Sequence, residues 1–269
     1  MKKQVTIVKV GGAVVEDDAQ LSLLLHHFSS IGGYKVLVHG GGRSATRIAS
    51  ALGIESKMVN GRRITDEAML RVVTMVYGGL VNKQLVARLQ SHGINAVGLT
   101  GADMNILHAH RRQPVSMTVD GVSRVIDFGY VGDVDAADGE RLSTLLSHGI
   151  TPVIAPLTHD GEGHILNTNA DTIASETAKS LSPYYDVRLV YCFEKPGVLS
   201  RPDDDSSVIP VITPSSFATL VADGTICGGM IPKIENALSA LSSGVHEVVI
   251  TLATAIDGNH GTVIRNDGV

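Results

Sequence analysis

Short apolar, β-branched runs alternate along the chain with segments that are apolar at every third or fourth residue. This pattern predicts strands at residues 4–10 and 34–39 and helices at residues 18–30 and 44–52. Each of the two strands runs into glycines: Gly11, Gly12, Gly40, Gly41 and Gly42. In a parallel sheet both turns lie at the carboxyl edge, where open α/β sheets bind ligands. The sequence therefore predicts a β-α-β-α start with a ligand site at that edge.

The alternation continues to the C-terminus. Thr65 is the predicted N-cap of a helical stretch that reaches His92, and Gly78 and Gly79 predict either a kink or two abutting helices. A β-rich insertion is expected within residues 106–135, with a turn at Asp120-Gly121. The remaining predicted strands are 95–99, 115–119, 122–128, 151–155, 187–193, 247–252 and 262–265. The remaining predicted helices are 138–148, 171–181, 215–223 and 233–244. Residues 156–163 are predicted to form a loop or hairpin, and residues 201–207 an exposed loop.

Composition narrows the class of protein. A chain of 269 residues that is 43% hydrophobic and 18% charged fits one large α/β domain or two intimate lobes. The net charge of −5 argues against a nucleic-acid surface. Because no apolar run approaches 18 residues and the first strand begins almost at once, we expect no membrane span and no signal peptide. Cys192 and Cys227 lack CxxC spacing, which indicates free thiols and a cytoplasmic location.

Lys9 is the first candidate functional residue. It lies at the end of the first predicted strand, just before Gly11 and Gly12. An ammonium group beside bare backbone amides complements a chain of phosphate oxygens. A strand that ends in a glycine turn with a surface lysine has the same local pattern, so this segment alone leaves both interpretations open.

Six motifs in order resemble those of the amino-acid kinase family. They are Lys9-Val10-Gly11-Gly12, His39-Gly40-Gly41-Gly42, Asn60-Gly61-Arg62-Arg63-Ile64-Thr65, Gly98-Leu99-Thr100-Gly101-Ala102-Asp103, Asn167-Thr168-Asn169-Ala170-Asp171 and Gly228-Gly229-Met230-Ile231-Pro232-Lys233. They span nearly the whole chain. The third and fifth favour the branch that acts on N-acylglutamates over carbamate, aspartate or uridylate kinases. The resemblance implies a three-layer αβα sandwich with a mainly parallel central sheet.

The resemblance also implies a domain plan and an activity. It implies one domain over residues 1–269, with approximate lobes at 1–165 for the acyl amino acid and 166–269 for ATP. The implied reaction is direct in-line phosphorylation of the γ-carboxylate of N-acetyl-L-glutamate, or of a relative such as N-succinylglutamate, by ATP with Mg²⁺. This is the second step of arginine biosynthesis. Because a carboxylate with a pKa of about 4.3 is ionised at pH 7, the reaction needs no general base.

The resemblance assigns roles to particular residues. Lys9 and Lys233 would stabilise charge on the transferring phosphate, and Asp171 would orient both lysines. The implied contacts to the nucleotide phosphates are Gly11, Gly12 and Gly229. The implied contacts to the acyl amino acid are Gly41, Gly42, Arg63, Asn167 and Asn169, with Arg63 clamping the α-carboxylate. The absence of a Cβ in the glycine turns would permit close ligand approach and positive φ.

Other polar residues receive structural interpretations. We expect Arg62 to face solvent, His39 to be a core or supporting residue and not a base, and Asp103 to stabilise a turn. No HExxH spacing is present, so no protein metal site is expected. Glu194 stands where this branch usually carries an aspartate, which leaves the adenine and ribose contacts open. Relatives that form arginine-inhibited hexamers have an additional N-terminal helix, so we expect an unregulated homodimer here.

Two other classes of function have sequence signatures of their own. A dinucleotide-dependent oxidoreductase would carry GxGxxG after the first strand, and the chain has adjacent glycines with no matching third. A silent amino-acid-binding protein on the same fold would have lost one of the two lysines, whereas Lys9, Lys233 and Asp171 are all present. The kinase interpretation is therefore preferred.

Overall fold

A computed structural model describes residues 2–119, 121–228, 230–256 and 260–268. Its strands are β1 (Gln4–Val10), β2 (Tyr34–His39), β3 (Met58–Val59), β4 (Arg62–Arg63), β5 (Ala96–Leu99), β6 (Leu107–Arg111), β7 (Val115–Val119), β8 (Val122–Ile126), β9 (Gly132–Ala137), β10 (Thr151–Ile154), β11 (Leu157–His159), β12 (Ile165–Asn167), β13 (Asp186–Phe193), β14 (Val211–Ile212), β15 (Glu247–Leu252) and β16 (Thr262–Ile264). Its α-helices are α1 (Gly12–Glu16), α2 (Asp18–Ser30), α3 (Gly42–Ala51), α4 (Glu67–Val73), α5 (Asn82–Ser91), α6 (Gly139–Ser147), α7 (Ala170–Leu181), α8 (Pro214–Ala222) and α9 (Met230–Ser242).

The central sheet has eight strands in the order β14-β16-β15-β13-β1-β2-β10-β5. All neighbours are parallel except β15 and β16. β1 lies between β2 and β13. Its side chains alternate between two hydrophobic cores, one on each face of the sheet. Val5 and Ile7 pack with α6, α7 and α9, whereas Val8 and Val10 pack with α2 to α5. Helices thus cover both faces of a mainly parallel sheet, which confirms the predicted fold class.

The chain also forms a second, smaller sheet. Its order is β12-β11-β6-β9, and the separate β7–β8 ribbon lies between β6 and β9 in the sequence. The ribbon was predicted, although β8 ends at Ile126 and not at residue 128. β6 and β9 were not predicted. The open alternative for residues 156–163 resolves as a hairpin, because β11 pairs antiparallel with β12.

The long helical stretch after β4 is continuous. α4 and α5 are joined by a π-helical segment, Thr74–Val81, that contains Gly78 and Gly79. The N-cap of α4 is Asp66, whose Oδ1 accepts from the Met69 amide at 2.8 Å, so the prediction of Thr65 as N-cap was wrong by one residue. Among the described helices, none has the length and apolar character needed to cross a membrane.

Candidate active site

The two glycine turns at the carboxyl edge of β1 and β2 press against each other. A Cβ on Gly12 would lie 3.3 Å from the amide nitrogens of both Gly41 and Gly42, and one on Gly40 would lie 3.1 Å from the Gly12 nitrogen. A side chain at either position would crowd the facing backbone, so glycine is favoured there. None of these turn glycines has a φ in the left-handed region that favours glycine, since Gly11 has a φ of −76° and Gly41 a φ of 168°, so that part of the prediction was wrong.

Lys9 and Asp171 form an ion pair at this edge. Lys9 Nζ lies 2.7 Å from Asp171 Oδ1, and the lysine side chain is only 12% exposed. Asp171 stands in the first turn of α7, where a carboxylate is favoured by the helix dipole. Asn169 caps the same helix, since its Oδ1 accepts from the Asp171 amide at 2.7 Å and the Thr172 amide at 3.3 Å. The cap of α7 thus fixes the carboxylate that holds Lys9.

Lys233 reaches the site from α9 without touching Asp171. Its Nζ lies over the ring of Phe193, 4.3 Å from the centroid. Among the described residues, no carboxylate forms an ion pair with Lys233, whereas Asp171 pairs with Lys9. The expectation that Asp171 orients both lysines is therefore met for Lys9 only.

A cavity of about 510 Å³ brings the phosphate-site candidates together. Both lysines line it, along with three turn glycines and one carboxylate: Lys9, Lys233, Gly11, Gly12, Gly42 and Glu194. Glu194 also lies 3.5 Å from Arg43 in an exposed ion pair. Gly229, the remaining candidate for nucleotide phosphate, lies outside the described residues. The cavity therefore joins elements from both halves of the chain, and two further cations, Arg43 and Lys195, also line it.

Arg63 lies directly beside the second glycine turn. Its Nη2 donates to the carbonyl oxygen of Gly42 and to Thr46 Oγ1, both at 2.9 Å, and its Nη1 donates to Ser56 Oγ. The side chain is buried, whereas Arg62 is exposed, as predicted. The guanidinium group thus ties the turn to α3, and a clamp on a substrate carboxylate stays a prediction.

Tyr77 is a site residue that the sequence did not indicate. A Cβ on Gly41 would lie only 2.9 Å from Tyr77 Cδ1, so the ring packs directly on the second turn. Burial raises the pKa of the Tyr77 hydroxyl, and the guanidinium group of Arg63 opposes that shift. Tyr77 lies in the π-helical segment, where the side-chain spacing departs from the period of 3.6 residues that sequence patterns follow.

Asn167 and Asn169 have separate environments. Asn167 Nδ2 donates to Thr65 Oγ1 at 2.9 Å, which links β12 to the start of α4. Asn169 uses its amide oxygen to cap α7. A substrate contact from either residue remains untested.

His39 is fully buried, in agreement with its interpretation as a core residue. Its Nδ1 lies 2.7 Å from the carbonyl oxygen of Gly40 and its Nε2 lies 3.1 Å from Asn82 Nδ2. Burial lowers the pKa of His39 to about 4, so the ring is neutral at pH 7. A neutral ring then donates from Nδ1 to Gly40 and accepts at Nε2 from Asn82.

Asp103 stabilises a turn, as predicted. Its Oδ2 accepts a hydrogen bond from the Thr100 amide at 2.6 Å.

Across the described part of the chain, the one cluster spaced for a metal is Asp160, Glu162 and His164. It lines none of the walls of the 510 Å³ cavity. Asp160 there already accepts two backbone amides and the His164 ring, so a hydrogen-bonded turn accounts for the cluster.

A mainly parallel α/β sheet with two glycine turns and a lysine–carboxylate pair at its carboxyl edge has the features expected of a small-molecule kinase. The profile of the amino acid kinase family matches residues 4–252, and the chain belongs to that family. This confirms the family indicated by the six motifs.

Individual relatives are similar over their whole length. The acetylglutamate kinase of Phocaeicola vulgatus is 61% identical over 265 residues, which cover 98% of this chain and 100% of that protein. The acetylglutamate kinase of Bacteroides thetaiotaomicron is 60% identical with the same coverage. Among solved structures, N-acetylglutamate synthase from Neisseria gonorrhoeae, complexed with coenzyme A and N-acetyl-glutamate, is 25% identical with a TM-score of 0.77. That match covers 98% of this chain and 60% of the synthase.

Proposed function

We propose that this chain is an acetylglutamate kinase, which transfers the terminal phosphoryl group of ATP to the side-chain carboxylate of N-acetyl-L-glutamate. Two supports are independent of each other. Relatives that share about 60% identity over their full length carry that name. The observation that carries the proposal is the Lys9–Asp171 ion pair beside Gly11 and Gly12, because it places a fixed cation at a turn suited to phosphate.

The reaction requires the protein to stabilise charge and to position the two substrates. The acceptor carboxylate is already ionised at pH 7, so no side chain has to remove a proton. In-line transfer then depends on neutralising the transferring group and on holding the two reactants close together. The neutral, buried His39 is consistent with this scheme, since it cannot reach substrate and has no proton-transfer task.

Lys9 and Lys233 are both assigned to the transferring phosphoryl group. Lys9 approaches from β1 and Lys233 from α9, and both line the same cavity. We assign both ammonium groups to the oxygens of the transferring phosphoryl group, where positive charge stabilises the transition state. Asp171 is a positioning residue that holds Lys9, and the amides of Gly11 and Gly12 face the nucleotide phosphates.

The residues present fit a magnesium ion that arrives on ATP. Of the described residues that line the cavity, Glu194 is the one carboxylate. Mg²⁺ characteristically keeps several waters and binds through one or two carboxylates together with substrate phosphates, so Glu194, which pairs with Arg43 here, would be the protein carboxylate available to the ion. When bound, the ion neutralises charge on the leaving phosphate oxygens.

The acyl amino acid is assigned to the neighbouring turn. Gly41 and Gly42 would face the substrate, and Arg63 beside them supplies the planar cation that suits a carboxylate. Asn167 at the end of β12 and Asn169 at the N-cap of α7 complete the assignment. In this arrangement residues 1–165 hold mainly the acyl amino acid and residues 166–269 hold ATP.

We propose the biological setting as a separate inference from the family resemblance. The reaction belongs to the second step of arginine biosynthesis, and we assign the enzyme to the cytoplasm as a homodimer that arginine does not regulate. Light scattering with and without arginine tests the last point. An arginine-dependent hexamer would contradict it.

An acceptor assay tests the proposed function. Purified protein with ATP and Mg²⁺ should release ADP in the presence of N-acetyl-L-glutamate, and hydroxylamine should trap the acyl phosphate as a hydroxamate. N-succinyl-L-glutamate in parallel decides the acyl group, and carbamate and free glutamate serve as negative acceptors. Absence of turnover with both N-acylglutamates would overturn the proposal.

A further inference from the structure

Lys9 and Lys233, the two cavity lysines assigned to the transferring phosphate, are held in chemically different ways. A carboxylate holds Lys9 at 2.7 Å, whereas an aromatic face holds Lys233 at 4.3 Å from the ring centroid of Phe193. A cation this close to a ring face is attracted by the ring's quadrupole. Unlike a carboxylate, the ring leaves the positive charge of the ammonium group uncancelled.

Lys233 needs such support because of where it lies. It is the fourth residue of α9, near the helix N-terminus, where the helix dipole disfavours a cation. Its side chain is exposed, and a free lysine loses considerable rotamer entropy when it is fixed in one place. Within the described residues, the ring of Phe193 is the contact that opposes both effects.

The ring is itself fixed by its neighbours. Phe193 is the last residue of β13 and stacks on Tyr191, with the ring centroids 6.2 Å apart and the planes at 28°. The Tyr191 hydroxyl donates to the backbone carbonyl oxygen of Asp171 at 3.3 Å, and Tyr191 is in register with Lys9 on β1. The aromatic pair therefore connects the support of Lys9 to the support of Lys233.

We propose that Phe193 is the positioning residue of Lys233: its ring holds the ammonium group at the phosphate cavity while leaving its full charge available to the substrate. The inference rests on the proposed phosphoryl transfer and extends it to a residue for which no family motif assigns a role. A ring at this place that only stacked on the adenine base would act independently of Lys233. The two roles are therefore separable by experiment.

The test is a double-mutant cycle with Phe193→Leu and Lys233→Met. Exposed cation–π contacts correspond to roughly two- to fivefold in an equilibrium or rate, so Phe193→Leu should lower kcat by about that factor. The Michaelis constant for N-acetyl-L-glutamate should stay unchanged. In the Lys233→Met background, Phe193→Leu should have no further effect, because the contact is already absent. Phe193→Trp, which keeps a ring face, should restore kcat toward the parent value.

A matched control is Phe217→Leu. Phe217 is a half-buried phenylalanine of α8 that does not line the cavity, so the same substitution there should leave kcat unchanged. Thermal denaturation of every variant confirms that it is folded. If Phe193→Leu lowers kcat equally in the parent and the Lys233→Met backgrounds, or leaves kcat unchanged, the inference is wrong. Failure of the proposed function is distinguishable, since the parent protein itself would then be inactive.

Discussion

The substitution Lys9→Met removes one ammonium group from the phosphate cavity while keeping a side chain of similar length. The Lys9 side chain is only 12% exposed, so solvent screens its charge poorly. At an effective dielectric constant near 20, two charges 4 Å apart interact by about 4 kcal/mol. Losing one preorganised electrostatic contact typically lowers kcat about 10²- to 10³-fold, which corresponds to about 2.7–4 kcal/mol. We expect a loss in that range, with little change in the Michaelis constants.

The same substitution should affect stability much less than turnover. Asp171 would lose its partner at Oδ1, which is buried, but its side chain is 38% exposed as a whole, and it still benefits from its place at the α7 N-terminus. We therefore expect a cost of about 1 kcal/mol in the free energy of unfolding. For a chain of this size that lowers Tm by roughly 2–4 °C. The variant should thus be folded and nearly inactive.

Lys35→Met is the matched control for this prediction. Lys35 Nζ donates to the carbonyl oxygens of Phe28, Ser29 and Ile31 at the end of α2, at 3.3, 2.9 and 2.7 Å, and it does not line the cavity. Its loss should lower Tm and leave kcat within about twofold of the parent, since it lies outside the electrostatic site. ADP release and thermal denaturation, measured on both variants, give the comparison. A Lys9→Met enzyme with kcat within threefold of the parent would remove Lys9 from the mechanism.

Three further predictions follow from the site. Arg63→Ala should mainly raise the Michaelis constant for the acyl amino acid in steady-state assays, because a positioning cation is lost. A fall in kcat with an unchanged Michaelis constant would contradict this prediction. His39 has a folded-state pKa of about 4, below the unfolded value near 6.5, so the unfolded chain binds the proton more readily. The contribution of His39 to the free energy of unfolding is complete above pH 6.5, and about 3 kcal/mol of it is lost as the pH falls toward 4. In urea denaturation, the free energy of unfolding of His39→Gln should therefore depend less on pH than that of the parent protein. Gly41→Ala should lower Tm, because the new Cβ would lie 2.9 Å from Tyr77 Cδ1 in the second turn. A Cβ at Gly11 would have no atom within 4 Å, so Gly11→Ala should leave Tm unchanged. Equal Tm values for the two variants would refute this prediction.

Where hydrophobic pattern and local chain signals coincide, the sequence predicted the fold closely. The observed bounds of β1, β2, α2 and β15 equal those expected, since each element is a compact apolar or helical-period run that ends at a glycine or a polar turn. β6 and β9 escaped prediction. β6 carries two histidines and an arginine, and β9 carries two aspartates, so neither is an apolar run. Their strand conformation depends on pairing with each other and, for β6, with β11, which only the folded chain provides.

For the site, sequence located the charged groups and missed their neutral supports. The Lys9–Asp171 pair was expected because the family resemblance implied that Asp171 orients both lysines. The partner of Lys233 is an uncharged ring, and no charge pattern indicates it. Tyr77 was missed for a related reason, since its contact with Gly41 depends on how a π-helical segment packs against a distant turn.

The position of β1 has a consequence for synthesis of the protein. β1 pairs on one side with β2, which follows it closely, and on the other with β13, which is made about 180 residues later. At ribosomal rates of roughly 5–20 residues per second, that edge of β1 waits about 9–36 s for its neighbour. During this interval the central strand is an apolar edge strand open to wrong pairing. The lysine at its end therefore reaches its carboxylate partner only when most of the chain has left the ribosome.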